Sequence, residues 1–283
     1  MKISLIALDL DDTLLDSRLG ISEPNKAAVR AAEDAGIDIV LASGRNYASL
    51  KEYAKVLELD RPGNFLICSN GAETLAAEDG RSIEHLTLTE AFCHEATEAV
   101  EALGLSWQVY MDGKIYSLDR NRWALLDQHL TGQPLVDAPP KKELFAGGQT
   151  KFVVPGDPAR IAEVYPLLAA TFRDRAEIVT SKPYFLEILP LGADKGSALV
   201  RLSGILGFPM EEVMAIGDAM NDLTMVKVAG WGCAPANALE EIKAAARVVS
   251  PRTHDEDAVA DLIWSIALAD RRAGENSRGT VAI

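Results

Sequence analysis

Short apolar runs alternate with amphipathic stretches in the N-terminal part of the chain. The run at residues 3–8 ends in acidic residues, which is typical of a strand buried on both faces of a parallel sheet. An Ala-rich helix follows from the N-cap Ser22 to the stop at Gly36, and a second strand is predicted at 37–42. A helix and a third strand repeat this order. The alternation predicts a doubly wound parallel sheet.

The regular alternation of strands and helices stops after about residue 80. The strands and helices that follow indicate a separate α+β domain. The rhythm returns with a helix at 195–206 and an apolar strand at 213–216. We therefore predict an α/β fold, a doubly wound, Rossmann-like parallel sheet with an inserted α+β domain. The predicted boundaries are 1–81 and 191–270 for the discontinuous core, 82–190 for the inserted domain, and 271–283 for a disordered tail without periodicity.

Composition and charge restrict the possible partners. The chain has 283 residues and a formal net charge of -14, without the clusters of Lys and Arg that bind nucleic acid or an anionic membrane. No apolar run reaches the roughly 18 residues of a membrane span, and the N-terminus shows no signal-peptide pattern. Three scattered cysteines, an odd number, indicate reduced thiols. We expect a soluble cytoplasmic protein, and no pattern indicates an obligate protein partner.

Two acidic clusters follow two of the predicted strands. Asp9 and Asp11 follow the first strand, where strand alternation would place both on one side, and Asp218 and Asp222 follow the strand at 213–216. Because ligands bind beyond the carboxyl ends of parallel strands, we expect the clusters to converge there. Carboxylates about 4 Å apart repel each other by roughly 1 to 4 kcal/mol, and oxygen ligands favour Mg²⁺ as the neutralising cation. An ordinary solvent-exposed acidic turn would give the same sequence pattern at either cluster.

Two further segments suit a phosphate group. Ser43, Gly44 and Arg45 lie between a predicted strand and a helix, where a hydroxyl and backbone amides can bind an anion. Lys195 opens the helix at which the parallel rhythm resumes, and it could pair with a phosphoryl group. Either segment could equally be a helix cap. The nucleotide-binding patterns GxxxxGK(S/T) and GxGxxG do not occur after the first strand, which argues against a kinase or a dehydrogenase.

Together these segments resemble the haloacid dehalogenase superfamily. Two further stretches, together with the inserted domain, resemble its Cof-type hydrolases. Ser43 stands where members often have Thr, and Ala219 where many have Gly, and neither change removes a required functional group. The segments that support the resemblance are Asp9-Leu-Asp11-Asp12-Thr13-Leu14, Ser43, Lys195 and Gly217-Asp218-Ala-Met-Asn221-Asp222, with Ser69-Asn70-Gly-Ala72 and Phe185-Leu-Glu187-Ile for the subgroup.

The resemblance implies a role for each matching residue. Asp9 would be the nucleophile, Asp11 would protonate the leaving group and then activate water, and Asp12 is expected to be structural. Ser43 and Lys195 would hold the phosphoryl oxygens. The implied catalytic residues are Asp9, Asp11, Ser43 and Lys195; the Mg²⁺ ligands are drawn from Asp9, Asp11, Asp218 and Asp222; the substrate-binding residues are Ser43, Gly44, Arg45, Asn70, Lys195 and Asn221.

The function that this resemblance implies is that of a Mg²⁺-dependent phosphatase. It would hydrolyse a small phosphorylated metabolite, such as a sugar phosphate, through an aspartyl phosphate on Asp9. The inserted domain resembles a cap that selects the leaving group. Candidate contacts in it are Tyr184, Glu187 and the turn at Gly147 and Gly148, although Tyr184 could equally belong to the core and the glycines could form only a turn.

Two alternative functions would use the same acidic site. A phosphomutase of the phosphomannomutase type would employ the same nucleophile but return an isomerised phosphate ester. A non-catalytic sensor would bind phosphate or a metal there. Asp11 favours catalysis, because a sensor needs no second carboxylate for acid–base chemistry.

Overall fold

Two β-sheets organise the computed structural model, which describes residues 2–269. The predicted tail at 271–283 lies outside the described residues. None of the helices within residues 2–269 has the length and apolarity required to cross a bilayer. The strands are β1 (Leu5–Leu8), β2 (Asp38–Ala42), β3 (Phe65–Cys68), β4 (Glu73–Ala76), β5 (Ser82–His85), β6 (Gln108–Met111), β7 (Lys114–Ser117), β8 (Leu135–Asp137), β9 (Phe152–Pro155), β10 (Ala176–Lys182), β11 (Phe185–Pro190), β12 (Val213–Ile216), β13 (Trp231–Ala234) and β14 (Val248–Val249). The helices are α1 (Glu23–Asp34), α2 (Tyr47–Val56), α3 (Glu90–Ala102), α4 (Arg122–Thr131), α5 (Lys141–Leu144), α6 (Pro158–Phe172), α7 (Lys195–Leu206), α8 (Leu223–Val228), α9 (Glu240–Ala245) and α10 (Ala258–Leu262).

The larger sheet has the strand order β14-β13-β12-β1-β2-β3-β4-β5. Neighbouring strands from β14 to β3 are parallel, and β4 and β5 add an antiparallel edge. The predicted α/β fold with a parallel core is therefore confirmed. Since β1 lies between β12 and β2, the carboxyl ends of these three strands lie side by side.

The larger sheet is buried on both faces, as the unbroken apolar sequence of β1 predicts. Ile6 and Leu8 belong to one core cluster, which includes residues of α1 and α10. Leu5 and Ala7 belong to a second cluster, which includes residues of α7 and α8. Because successive side chains of a strand face opposite sides, β1 is held between two layers of helices. Its carboxyl end is a rigid place for a functional side chain.

The smaller sheet has the order β10-β11-β9-β6-β7-β8 and is antiparallel except for the β7–β8 pair. Helices α3 and α6 pack against it around a separate core that contains Trp107, Phe152 and Phe172. Its strands all come from one stretch of chain between β5 and α7, so the α+β region is inserted into the parallel fold, as predicted. The exact domain boundaries stay a prediction, but β5 pairs with β4 and extends the larger sheet beyond residue 81.

Local sequence signals fix the starts of the helices near the site. Ser22 Oγ accepts a hydrogen bond from Asn25 N (3.3 Å) at the start of α1. Asp194 Oδ1 accepts one from Ser197 N (2.9 Å) at the start of α7. Such caps satisfy N–H groups that lack a partner within the helix. As a result, Lys195 is the first residue of α7, as predicted.

The sequence pattern does not predict α4, β8 or β10. Helix α4 buries only Ala124 and Asp127, so its apolar face is too narrow to give a helical period. The sequence nevertheless contains signals for both ends of α4. Asn121 caps its first turn, and Gly132 follows its last turn with a φ of 69°. Strand β10 is mostly half-exposed and polar, so it depends on pairing with β11 more than on its own sequence.

Candidate active site

Asp9 lies at the carboxyl end of β1, where the chain leaves the sheet. Its backbone N–H still donates to Ile216 O of β12 (3.0 Å), so the sheet fixes its position. The following residues form a single turn, closed by a hydrogen bond from Leu15 N to Leu10 O (2.9 Å). Asp9 and Asp11 line the same cavity, as expected, but strand alternation is the wrong reason, because β1 ends before Asp9 and a turn places Asp11.

Lys195 reaches the acidic clusters from the first turn of α7. Its Nζ donates to Asp9 Oδ1 (2.6 Å) and Asp222 Oδ1 (2.5 Å), and its side chain is fully buried. Burial lowers the pKa of Lys195, but the charges of Asp222 and Asp9 outweigh burial and hold the pKa above its ordinary value. Lys195 is therefore a cation that joins the two acidic clusters, which converge as expected.

The second acidic cluster is fixed by the turn after β12. Asp222 Oδ2 accepts hydrogen bonds from Asp218 N (3.0 Å) and Ala219 N (3.1 Å). Gly217 permits this close turn, since a Cβ at that position would lie 2.5 Å from Asp222 Cβ. Thr13 Oγ1 donates to Asp218 Oδ1 (2.9 Å) and so ties this cluster to the turn after β1.

Asp9, Asp218 and Asp222 form a set of buried carboxylates that suits a divalent cation. One oxygen from each lies within 4.8 Å of the others. Burial and the charge of Asp222 raise the pKa of Asp218 to about 7, and the same causes raise the pKa of Asp9 well above its ordinary value. Lys195 pairs with Asp9 and Asp222 but, within the described residues, donates no hydrogen bond to Asp218, and an all-oxygen donor set favours Mg²⁺. Asp11, also predicted as a ligand, lies outside this set of three.

Arg45 holds Asp11 in a two-point ion pair. Arg45 Nε donates to Asp11 Oδ2 (2.9 Å), and Nη2 donates to Oδ1 (2.7 Å). Burial raises the pKa of Asp11, but the hydrogen bonds and charge of Arg45 outweigh burial and leave the pKa below its ordinary value. Asp11 is therefore ionised, the form that can accept a proton. Arg45 also lines the central cavity, where it was predicted to touch substrate.

The remaining predicted substrate residues come from the ends of β2 and β3 and from the turn after β12. Ser43, Gly44 and Asn221 line the cavity directly. Asn221 Nδ2 donates to Asn70 Oδ1 (3.0 Å), and Asn70 Nδ2 donates to Glu187 Oε2 (2.8 Å). Asn70 is 2% exposed and does not itself line the cavity. Its contacts position two lining residues, one from each sheet.

A cavity of about 200 Å³ lies between the two sheets. Two lysines of the inserted region contact the larger-sheet side. Lys151 Nζ donates to Gly44 O (2.7 Å), and Lys182 Nζ donates to Asp12 Oδ2 (2.7 Å). Asp12, expected to be structural, thus lies at the rim and pairs across the two regions. The lining residues of the inserted region include Tyr110, Asp127, Lys151, Tyr184, Phe185 and Glu187.

The sequence predicts only some of the residues of the inserted region that line the cavity. Tyr184 and Glu187, both candidate contacts, line the cavity, whereas the turn at Gly147 and Gly148 does not. Lys151 and Asp127 were not predicted. A lysine or aspartate without a motif is normally solvated, and only the tertiary structure shows that both are buried here.

Comparison with known proteins identifies the family. The sequence model of the haloacid dehalogenase-like hydrolases matches residues 6–263. This chain belongs to that family. It is 32% identical over 263 residues to the 5-amino-6-(5-phospho-D-ribitylamino)uracil phosphatase of Bacillus subtilis, which covers 93% of this chain and 95% of that protein. It is 34% identical over 248 residues to the HMP-PP phosphatase of Klebsiella pneumoniae, with 85% and 86% covered.

Solved structures agree with this assignment. A haloacid dehalogenase-like hydrolase from Bacteroides thetaiotaomicron superposes with a TM-score of 0.85 at 32% identity, covering 94% of this chain and 100% of that one. The family predicted from the motif segments is therefore confirmed. In this haloacid dehalogenase-like hydrolase, the motif residues Asp9, Lys195 and Asp222 meet through direct hydrogen bonds at one edge of the parallel sheet.

Proposed function

We propose that this hydrolase is a Mg²⁺-dependent phosphatase that cleaves a small phosphorylated metabolite through an aspartyl phosphate on Asp9. The position of Asp9 supports the proposal most directly. Its carboxylate lines the cavity, its Oδ1 is held by Lys195, and Asp218 and Asp222 lie beside it. A carboxylate nucleophile, a fixed cation and an acidic set suited to a metal are the parts that phosphoryl transfer requires.

The relatives support phosphatase chemistry with a small substrate. One is named a phosphatase of a phosphoribitylamino-uracil, and another is named an HMP-PP phosphatase. Their named substrates differ, so the comparison supports the reaction without choosing the leaving group. The cavity of about 200 Å³ is smaller than the roughly 300–1,000 Å³ typical of drug-sized ligands. This size also favours a small metabolite.

In the first proposed step, a carboxylate oxygen of Asp9 attacks phosphorus and the ester oxygen leaves in line with it. Asp11, in its protonated form, gives the leaving oxygen its proton. Arg45 favours the ionised form of Asp11, so Asp11 must take up a proton before this step. A bound phosphate group would promote that uptake, because its negative charge raises the pKa of a neighbouring carboxyl and competes for Arg45.

In the second proposed step, Asp11, now ionised, removes a proton from water while the water oxygen attacks phosphorus. The bond between phosphorus and Asp9 breaks, which restores the carboxylate and releases inorganic phosphate. Lys195 would hold Asp9 through both steps, and the hydroxyl of Ser43, which lines the cavity, would donate to a phosphoryl oxygen. Mg²⁺ bound by Asp9, Asp218 and Asp222 would neutralise charge on the phosphoryl oxygens.

The proposal is tested by phosphate release from a panel of small phosphate esters, with Mg²⁺ or with a chelator. We expect release by the wild type only with Mg²⁺. The Asp9→Asn variant should lose at least about a thousandfold in kcat, because an amide cannot form the covalent intermediate. The matched control is Asp137→Asn on β8, whose side chain is 84% exposed and outside the cavity lining. It should keep wild-type activity.

Three results would contradict parts of the proposal. Substantial activity in purified, folded Asp9→Asn protein would remove Asp9 as the nucleophile. Release that persists in chelator would remove the metal. An isomerised phosphate ester, in place of free inorganic phosphate, would favour a phosphomutase.

A further inference from the structure

Asp127 of α4 is a buried carboxylate, and only one of its two oxygens accepts a hydrogen bond from residues 2–269. The residue is 4% exposed, yet it lines the cavity. Its Oδ2 accepts hydrogen bonds from Gln108 Nε2 and Tyr110 OH. No hydrogen bond from residues 2–269 reaches Oδ1. Because Asp127 lines the cavity, this oxygen is an acceptor available to a ligand.

Glu187 of β11 has the same arrangement. It is 3% exposed and lines the cavity. Its Oε2 accepts hydrogen bonds from Asn70 Nδ2 (2.8 Å) and Lys151 Nζ (3.3 Å), while Oε1 receives none from the described part of the chain. Two carboxylate oxygens in one wall therefore lack donors. Hydroxyl groups are neutral donors that fit such acceptors.

Lys151, which lies beside Glu187, is already paired with that carboxylate. Its Nζ donates to Gly44 O (2.7 Å) and to Glu187 Oε2 (3.3 Å). It also lies over the ring of Tyr110, 5.0 Å from the ring centroid. An ammonium group has three N–H donors, and the two hydrogen bonds use two of them while its charge faces Glu187 and the ring.

The other cations of the lining are also paired. Arg45 binds Asp11 at two points, and Lys182 binds Asp12. Among the described residues that line the cavity, each Lys or Arg thus has a carboxylate partner. A leaving group with a second negative charge would meet Asp127 and Glu187, and it would have to compete with a carboxylate for any of these cations.

We propose that Asp127 and Glu187 each bind a hydroxyl group of the leaving alcohol. The enzyme then selects neutral, polyhydroxylated monophosphates over phosphates whose leaving group has a second anionic group. This assignment rests on the proposed phosphatase function and adds a choice of leaving group to it. Burial raises the pKa of Asp127 to about 6, so its carboxylate is largely ionised near neutral pH and serves as an acceptor.

The test compares two open-chain substrates that differ at one carbon. D-Glucitol 6-phosphate has a hydroxymethyl group at C1, where 6-phospho-D-gluconate has a carboxylate. The wild type should show a kcat/KM at least about tenfold higher for D-glucitol 6-phosphate, which is the effect of one hydrogen bond to a charged group. p-Nitrophenyl phosphate, which lacks aliphatic hydroxyls, reports on the chemical steps alone.

The variants Asp127→Asn and Glu187→Gln keep the size of each side chain and remove its charge. Each should lower the glucitol-to-gluconate ratio of kcat/KM by about tenfold. The matched controls are Asp137→Asn and Glu163→Gln, whose side chains are 84% and 64% exposed. Both controls should keep the wild-type ratio. A variant with only a structural defect would lower kcat/KM for both substrates equally and leave the ratio unchanged.

The outcomes separate this subsite from the phosphatase function. Hydrolysis of p-nitrophenyl phosphate without a preference for the glucitol ester would overturn the subsite alone. An unchanged ratio in both variants, with thermal unfolding showing folded protein, would do the same. If one variant does not fold, the other decides. Release of phosphate from none of the three esters by the wild type would contradict both the subsite and the proposed function.

Discussion

The acids that follow β1 differ in their partners, and the partners separate their proposed roles. Asp9 is held by the buried Lys195 beside two further carboxylates. Asp11 is held by Arg45 and is not a member of that set. We propose that the acid beside the metal-suited set attacks phosphorus, and that the acid paired with a guanidinium exchanges a proton with the leaving group and with water.

The Asp11→Asn variant tests this separation. An amide cannot transfer the proton, so kcat should fall by roughly 10² to 10⁴. Mg²⁺ affinity, measured by titration calorimetry, should change little, because Asp11 lies outside the set of Asp9, Asp218 and Asp222. Loss of Mg²⁺ binding would show that Asp11 is a ligand, and a kcat close to the wild-type value would remove it from proton transfer.

Gly217 is a residue whose lack of a side chain shapes the site. In Gly217→Ala the new Cβ would lie 2.5 Å from Asp222 Cβ. We expect a loss of about 1–3 kcal/mol in the free energy of unfolding from overpacking and weaker Mg²⁺ binding as Asp222 shifts. The measurements are denaturant unfolding and Mg²⁺ titration.

The control for Gly217→Ala is Gly204→Ala in α7. A Cβ at Gly204 meets no atom within 4 Å, and alanine favours a helix by roughly 0.5–1 kcal/mol over glycine. Gly204→Ala should therefore be neutral or stabilising and should keep Mg²⁺ affinity. If both substitutions had the same effect, close packing at Gly217 would not explain its presence.

Among the elements, two that hold motif residues have the bounds that the sequence predicts. Strand β12 and helix α7 have the predicted bounds, because an apolar run and an N-cap are local signals. Helix α4, which positions Asp127, was not predicted, since its buried face is too narrow to give a period. Local patterns thus predict the elements that carry the motif residues, but not the helix that carries Asp127.

The start of α7 links helix stability to the site. In Asp194→Ala the hydrogen bond to Ser197 N is lost, at a cost of about 1 kcal/mol in the free energy of unfolding. Because Lys195 is the next residue, kcat should fall as well. Asp157→Ala is the matched control, since it removes the cap of α6, where Asp157 Oδ1 accepts from Ala159 N (3.1 Å).

Both cap variants should lose similar stability in thermal unfolding, and only Asp194→Ala should lose turnover. Equal kcat values in the two variants would mean that the cap of α7 does not position Lys195. A large loss of turnover in Asp157→Ala would point to a general effect of stability on activity.

At the scale of the whole molecule, the cavity lies between the larger sheet and the smaller sheet, each of which has its own hydrophobic core. The change of rhythm near residue 80 predicts an inserted domain, but not which side chains it turns toward the sheet. Lys151 and Gly44 are 107 positions apart in the chain and are joined by one hydrogen bond. No local sequence pattern predicts such a contact. The residues of the inserted region that line the cavity could therefore not be predicted from the motifs that contain Asp9 and Lys195.

The measurement that tests the central claim most directly is chemical trapping of the intermediate. Wild-type enzyme is mixed with Mg²⁺ and a turned-over phosphate ester, quenched rapidly in acid, and reduced with borohydride, which converts an aspartyl phosphate to homoserine. We predict homoserine at position 9 by peptide mass spectrometry and at no other aspartate, with none after incubation without substrate. Homoserine at another position, or none during active turnover, would contradict the account of Asp9 as the nucleophile.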